Sequence, residues 1–302
     1  MQGQGLGVKL LATRPWSFTL TLSVWLFGLS LAYWRAGYID VIHSLLALPG
    51  LVALHASVNL VNDYFDAKYG VDRPGVGTVE YRPHPVIHGI LGYQGTLAAA
   101  GLGAAIAFAA AAFIAASGKP LALPLALAGA LLGFLYTAGP VRLKYRGLGE
   151  AAVFAAFGPL MVLGVYYVAT GSPDTLAAVA GAPLGLIIAA VLLANNVRDA
   201  ETDRRAGVMT VAARLGWRRA QGLLEAMVAA SYLSALLLAA LGFIPPASAI
   251  LALISLPAAL GALREARRHG PPADYDPRMA KAATFYGILM AVGAGASAVL
   301  QL

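Results

Sequence analysis

The sequence predicts an all-α, polytopic membrane protein of nine transmembrane helices, and three observations carry that prediction. Of its 302 residues, 59% are hydrophobic and only 12% charged, with a mean hydropathy of +0.73. An ordinary soluble domain is about 45–50% apolar and about 25% charged, so a soluble fold would have to hide far too much apolar surface. The second observation is a series of nine apolar runs, each near the roughly 20 residues a helix needs to cross a bilayer. The third is that, with these runs threaded through a membrane, lysine and arginine fall almost entirely on one side.

The elements follow in order. MQGQGLGVKLLATRPW has one lysine and no long apolar core before Pro15, so no signal peptide is expected there. The first span, 16–34, stops at Arg35, and the second, 41–65, runs directly into an acidic stretch. The third and fourth, 92–117 and 120–138, are separated only by the breaker GKP at 118–120. The fifth, 150–170, ends at GSPD, and the sixth, 175–197, runs into a second acidic stretch. The seventh, 220–241, ends before FIPP, the eighth covers 245–264, and GPP at 270–272 precedes the ninth, 280–301. A single domain covering 1–302 is expected. The richness in alanine and glycine suits close helix packing in lipid, and a GC-rich genome explains it equally well. Cysteine is absent, which excludes disulfides and thiolate metal sites.

With the N-terminus inside, only Arg35 and Lys119 of the 21 lysines and arginines lie in outer loops. The positive-inside rule therefore puts the N-terminus and every long loop in the cytoplasm, and an odd number of spans puts the C-terminus outside. Of the 14 acids, Asp40 and Asp174 lie on the outer side and Glu225 early in the seventh span; the other eleven lie at or near the cytoplasmic ends. No acid falls at mid-membrane. That argues against a transporter or channel, which needs ionisable groups or broken helices at that depth.

Residues 59–72 read NLVNDYFDAKYGVD. At 100° per residue, positions 59, 62 and 66 lie at about +40°, −20° and +20° from His55. His55, Asn59, Asn62 and Asp66 therefore form one stripe, with Asp63 beside it and Asp72 in the following loop. A second stretch, NNVRDAETDRRAG, spaces Asn195, Asp199 and Asp203 four apart, with Asn196 adjacent. Asn62-x-x-x-Asp66 and Asn195-x-x-x-Asp199 repeat the same form 133 residues apart. Either stretch alone reads as a solvated acidic loop. A matched pair at helix ends on one membrane face reads as two walls of one site. Such oxygen ligands suit a hard cation, and magnesium is commonly held by carboxylates together with a substrate's phosphates.

A bound diphosphate needs further positive charge. Candidates are Arg14, Arg82, Lys144 and one of Arg198, Arg204 or Arg205, with Lys144 and Arg82 favoured because they sit in short loops facing the same region. Tyr136 and Tyr145 are placed to cap the site or to serve the interfacial aromatic belt. A lone helical histidine such as His55 is more often a packing residue than a ligand. His84 and His88 are separated by Pro85 and lack a third partner, so a zinc pair is not expected.

The wording of NDYFDAKYGVD and NNVRDAETDRRAG resembles the paired aspartate motifs of the UbiA superfamily of intramembrane prenyltransferases. The resemblance extends through RPWSF, RP…HG, YTAGPVRLKYRGLGE and TVAARLG, and is nearest to the 1,4-dihydroxy-2-naphthoate polyprenyltransferases of menaquinone synthesis. It implies nine helices around a central cavity, open sideways to lipid and capped by cytoplasmic loops. It implies Mg2+ as cofactor and polyprenyl diphosphate, geranylgeranyl or longer, as substrate. Carried over by position, Asn62, Asp66, Asp199 and Asp203 are the metal ligands, with Asp63 and Asp72 supporting and Lys144 and Arg82 on the diphosphate. Asp66, Asp199, Asp203 and Lys144 are the residues expected to carry catalysis. Asn59, Asp63, Arg14, Tyr136, Tyr145 and Asn196 are expected beside substrate. YRPHPVIHG departs from the more usual serine-containing versions of that stretch. Expected partners are the diphosphate, an aromatic or lipid acceptor and the bilayer, with no nucleic acid. A 4-hydroxybenzoate or a glyceryl ether phosphate acceptor would fit the same chemistry. A phosphatidyltransferase also uses aspartates and magnesium, but its single long motif is not present.

Overall fold

The computed structural model describes residues 5–75, 79–80 and 82–301, which form helices and loops with no strand among them. Among the described residues, eight helices are long and apolar enough to cross a membrane. In chain order with one shorter helix they are α1 (Pro15–Ala36), α2 (Val41–Lys68), α3 (Gly92–Ala116), α4 (Ala122–Thr137), α5 (Gly149–Thr170), α6 (Thr175–Arg205), α7 (Trp217–Ala240), α8 (Pro246–His269) and α9 (Tyr275–Leu300). The shorter one, α4, has 16 residues, about 24 Å at 1.5 Å per residue. Its start is set back by the turn at Pro120–Leu121, and its end by the extended Ala138 before Gly139-Pro140.

Several helices outrun their apolar cores. The expected second and sixth spans stop at 65 and 197, whereas α2 continues to Lys68 and α6 to Arg205. Asp63, Asp66, Asp199 and Asp203 are thus helical, which fixes the direction of each carboxylate, while Asp72 lies in the loop beyond α2. The ninth helix likewise starts at Tyr275 rather than 280.

Bulky side chains divide unevenly between the helices. The main core cluster draws on α1 and α5–α9, including Phe27, Leu31, Leu184, Leu193, Tyr286 and Met290. Helices α2, α3 and α4 pack on one another at the side and contribute nothing to that cluster. Their sequences explain this. AAAGLGAAIAFAAAAF in α3 and LALAGALLG in α4 carry few large side chains on the inward face, so a space is left between this trio and the dense half. Where helices do meet closely, glycine permits it. A Cβ on Gly185 of α6 would stand 2.7 Å from the Phe154 carbonyl oxygen, and one on Gly158 of α5 would stand 2.8 Å from the Gly185 Cα. The packing reading of these small residues therefore holds at this crossing. A single π-helical turn at Ala156–Leu160, around Pro159, turns Ala156, Phe157 and Leu160 toward the open space.

One end of the bundle carries both acidic stretches; the other carries Arg35, Asp40, Lys119 and Asp174. These four pair among themselves, with Arg35 Nε 2.9 Å from Asp174 and Lys119 Nζ 2.5 Å from Asp40. Partial burial works against the charged form of Asp40. The Lys119 ammonium and two hydrogen bonds from His43 outweigh it and hold the carboxyl well below the usual carboxylate range.

Candidate active site

The space between the halves is a cavity of about 360 Å³. Its wall at the acidic end carries Asn62, Asp66 and Asp72 from α2 and its loop, and Asn195, Asp199 and Asp203 from α6. The two motifs therefore face each other across one space, and all six residues offer hard oxygen atoms.

Asp66 is 1% exposed and receives a 2.6 Å contact from Lys144 Nζ on Oδ2 and a 2.9 Å hydrogen bond from the Tyr145 hydroxyl on Oδ1. Both donors come from a short 3₁₀ turn, Leu143–Arg146. That turn is held by the left-handed Arg142 (φ 46°), whose guanidinium lies 4.1 Å over the Tyr69 ring, and by the left-handed Gly147. Burial alone would pull the Lys144 ammonium's pKa down. The charges of Asp66, Asp203 and Asp72 outweigh it and raise it well above the ordinary lysine value. Burial and the neighbouring Asp66 charge push the Tyr145 phenol up as well, so it remains a hydrogen-bond donor.

The chain folds back after α2, with the Val71 and Asp72 amides donating to the Asp66 carbonyl at 2.9 and 3.1 Å. This brings Asp72 to the cavity wall, where His84 Nε2 lies 3.1 Å from its Oδ2. Asn62 accepts a 2.6 Å hydrogen bond from Thr137, which fixes its amide, and Asn59 donates to the Thr13 carbonyl and to Ser17 Oγ, each at 3.1 Å. Tyr136 and Arg14 also line the cavity. Arg14 sits before Pro15 with a left-handed backbone (φ 64°), a conformation that costs an L-residue about 1–2 kcal/mol. It is held by a pairing of its guanidinium with Asp63 and by the Ser17 hydroxyl on its carbonyl.

On the second motif, Arg198 donates to both oxygens of Asp199 at 2.9 and 2.7 Å, to Asn195 at 2.8 Å, and to Asp276. Asp203 receives a long 3.4 Å contact from Thr210. Asp276 lines the cavity beside Asn195, and sequence reasoning did not select Asp276. Asp276 lies in the first turn of α9, before the apolar run that marked the span, and so read as loop. The repeat Asn62/Asn195 already pointed to Asn195.

Four expected substrate contacts lie off the cavity wall. Arg82 and Asp63 face each other away from the cavity, joined by 2.7 and 3.0 Å hydrogen bonds with both side chains almost fully buried. One residue along a helix is a 100° turn, and that carries Asp63 off the Asn62–Asp66 stripe. Asn196 is buried and donates to Glu150 of α5 at 2.9 Å, a contact between helices. Tyr145 reaches the site only through Asp66. Asp63, Asp72 and His84 lie close enough for a metal, but Asp63 already has Arg82 and Arg14 on its oxygens. His55 faces the cavity with Thr21 at 2.7 Å and Ser17 at 3.3 Å on its ring nitrogens, between the edges of Phe18 and Phe157. It joins α1 to α2 as a packed, hydrogen-bonded residue.

Away from the acidic end the wall is apolar, built from residues such as Leu51, Leu54, Leu132, Phe157 and Val191. An anion-plus-cation head joined to a long apolar bore suits an amphiphile with a charged head and a hydrocarbon tail. The sequence profile of the UbiA prenyltransferase family matches residues 21–298. The chain belongs to the UbiA prenyltransferase family. UbiA prenyltransferase domain-containing protein 1 of Dictyostelium discoideum is 35% identical over 221 residues, 69% of this chain and 64% of that protein. The human protein of the same name is 35% identical over 214 residues, 68% of this chain and 60% of that protein. The chain thus matches under two thirds of the length of these relatives. Among solved structures, a UbiA homologue from Aeropyrum pernix superposes with a TM-score of 0.70 at 18% identity, covering 95% of this chain and 98% of that one. A UbiA homologue from Archaeoglobus fulgidus, solved with GPP and Mg2+, superposes with a TM-score of 0.66 at 16% identity, covering 96% and 98%. These UbiA folds share the all-helical architecture described above.

Proposed function

We propose that this protein transfers a polyprenyl group from a polyprenyl diphosphate to an aromatic acceptor of the 1,4-dihydroxy-2-naphthoate kind, as a step in quinone synthesis. The observation that carries this reading is the convergence of two matched acidic motifs and Lys144 at the head of one deep apolar cavity. The family and the fold set the chemistry; the wording of NNVRDAETDRRAG favours the naphthoate acceptor over 4-hydroxybenzoate or a glyceryl ether phosphate.

The donor set fits magnesium. Asn62, Asp66 and Asp72 on one side and Asn195, Asp199 and Asp203 on the other would hold it through oxygen. When bound, the metal supplies positive charge beside the diphosphate as the allylic C–O bond breaks. Lys144 and Arg14 add fixed positive charge on the same wall, where a poorly hydrated setting strengthens it, and Arg198 holds Asn195, Asp199 and Asp276 in place. The apolar bore keeps water from an allylic cation, which water would convert to an alcohol. The acceptor's ring carbon then donates an electron pair to that cation and loses its proton, or its carboxylate as carbon dioxide. Asp63 and Arg82 act by holding α2 and the following loop in place.

In this reading the single domain, 1–302, sits in the cell membrane with its N-terminus and head loops in the cytoplasm and its C-terminus outside. The test uses the purified protein in lipid nanodiscs with magnesium, geranylgeranyl diphosphate and the three acceptors, with products read by mass spectrometry. A prenylated naphthoate is the expected product, absent in Asp66→Asn and Asp199→Asn. Prenylation of only another acceptor overturns the naphthoate assignment. No release of diphosphate with any acceptor overturns prenyl transfer.

A further inference from the structure

The cavity does not stop below the acidic head. On α2 its wall runs from Asp66 to Ala47, nineteen residues and so about 28 Å at 1.5 Å per residue. That is close to the whole hydrocarbon thickness of about 30 Å. On the facing helix, α5, the wall continues through Gly164 to Val168, four residues apart and thus on one face.

The far end is closed. Ile114, Ala122, Tyr167 and Val168 are 2%, 7%, 3% and 6% exposed and form a separate apolar cluster, with Leu46 and Leu125 packed against it. Behind the cluster is a polar clasp. Lys119 Nζ donates to the Val168 carbonyl and to Asp40, each at 2.5 Å, and the Asp40 amide donates to the Ala169 carbonyl at 2.7 Å. The Tyr38 hydroxyl donates to the Thr170 carbonyl at 2.8 Å. The start of α2, the α3–α4 turn and the end of α5 are therefore tied together, and the floor they make is fixed.

The approach to that floor is lined by small residues. Gly50 already packs closely, since a Cβ there would meet Ala110 Cβ at 3.1 Å. Gly164 is different: a Cβ there meets nothing within 4 Å. It lies in a helix and on the cavity wall, so a side chain at this position projects into the bore without striking the protein.

We propose that this closed far end gauges the length of the isoprenoid, the tail running down the bore from the diphosphate until its last unit meets the Ile114–Ala122–Val168 floor. This rests on the prenyl-transfer reading above and specifies how that site selects among diphosphates. The competing route for a tail is sideways. Leu54 and Val58 line both the cavity and a mostly apolar groove on the outer surface of α2–α4, bordered by Leu97, Gly101, Phe108 and Phe134. A tail leaving there would not sense the floor.

The experiment compares wild type, Gly164→Ala, Gly164→Leu, Ala122→Phe and Val58→Phe in nanodiscs with magnesium and one acceptor that the wild type uses. Geranyl, farnesyl, geranylgeranyl and one longer diphosphate are the donors. Gly164→Leu and Ala122→Phe should lower kcat/KM for the longest accepted donor by about tenfold or more relative to geranyl, the scale on which an apolar pocket discriminates chain atoms. Geranyl turnover should stay within about twofold of wild type, which also reports that the variant is folded, and Gly164→Ala should fall between. Equal losses at every length, or unchanged selectivity with the shift appearing in Val58→Phe instead, overturn the gauge while prenyl transfer stands. A wild type that uses no acceptor with any of the donors overturns prenyl transfer and the gauge with it.

Discussion

Lys144 Nζ stands 2.6 Å from Asp66 Oδ2 in the first motif, and the charge of Asp203 in the second motif acts on the same ammonium. One side chain from a short loop thus sits between two motifs separated by more than a hundred residues. Replacing it removes charge where the leaving diphosphate is expected. Lys144→Met should lower kcat by about 10²–10³, the scale for losing one fixed group that stabilises developing negative charge. Magnesium should still raise the thermal unfolding midpoint of the variant, since the oxygen donors remain. A variant that keeps full turnover would remove Lys144 from the site.

Asp63 and Asp199 each belong to one of the two acidic motifs, yet opposite outcomes are expected for them. Asp63 is fully buried between Arg82 and Arg14 and does not line the cavity. Asp63→Leu would remove the buried counter-charge that Arg82 and Arg14 share, at a cost of about 3–5 kcal/mol, and should show as a large fall in thermal midpoint. Asp199→Asn, on the wall, should abolish turnover and leave that midpoint near wild type. Thermal scans and activity on the same preparations decide; a stable, inactive Asp63→Leu contradicts the assignment.

The contrast also marks what sequence makes legible. Apolar runs and breakers give the spans, because the bilayer forces each run to be helical and long. The split of Arg35 and Lys119 from the other cations gives the two ends, and the structure pairs those two with Asp174 and Asp40. The repeat of Asn-x-x-x-Asp gives the facing motifs. The partners of Asp63 and Asn196 were not legible, since Arg82 and Glu150 reach them only through tertiary packing. Asp276 was missed because hydropathy ends a helix where charge begins, whereas α9 continues a turn beyond its apolar run.

The far-end pair predicts an acid sensitivity unrelated to catalysis. Asp40 has its carboxyl held below the usual range by Lys119 and His43 against partial burial. A depressed carboxyl contributes stability that is complete above its unfolded value, about 3.9, and is lost as pH falls through the lower folded value. Unfolding midpoints should therefore be flat in this respect above about pH 5 and fall below about pH 4. Asp40→Asn should lose that limb. Lys144 works in the other direction: its raised value keeps its contribution intact below about pH 10.4, with loss only at higher pH. An alkaline fall in activity between about pH 8 and 10 that disappears in Lys144→Met would contradict this.

The chain has no cysteine, so single cysteines report membrane sidedness without background. Ser172 follows α5 at the far end and is exposed, and Ala206 follows α6 at the acidic end and is exposed. On the proposed topology Ser172 would lie outside and Ala206 in the cytoplasm. In intact cells Ser172→Cys should react with a membrane-impermeant maleimide, and Ala206→Cys should react only after permeabilisation. Neither position lines the cavity, so both variants should keep wild-type turnover. The reverse labelling pattern would invert the topology and place the diphosphate head of the site on the outer surface, where a donor made in the cytoplasm has no direct access to it.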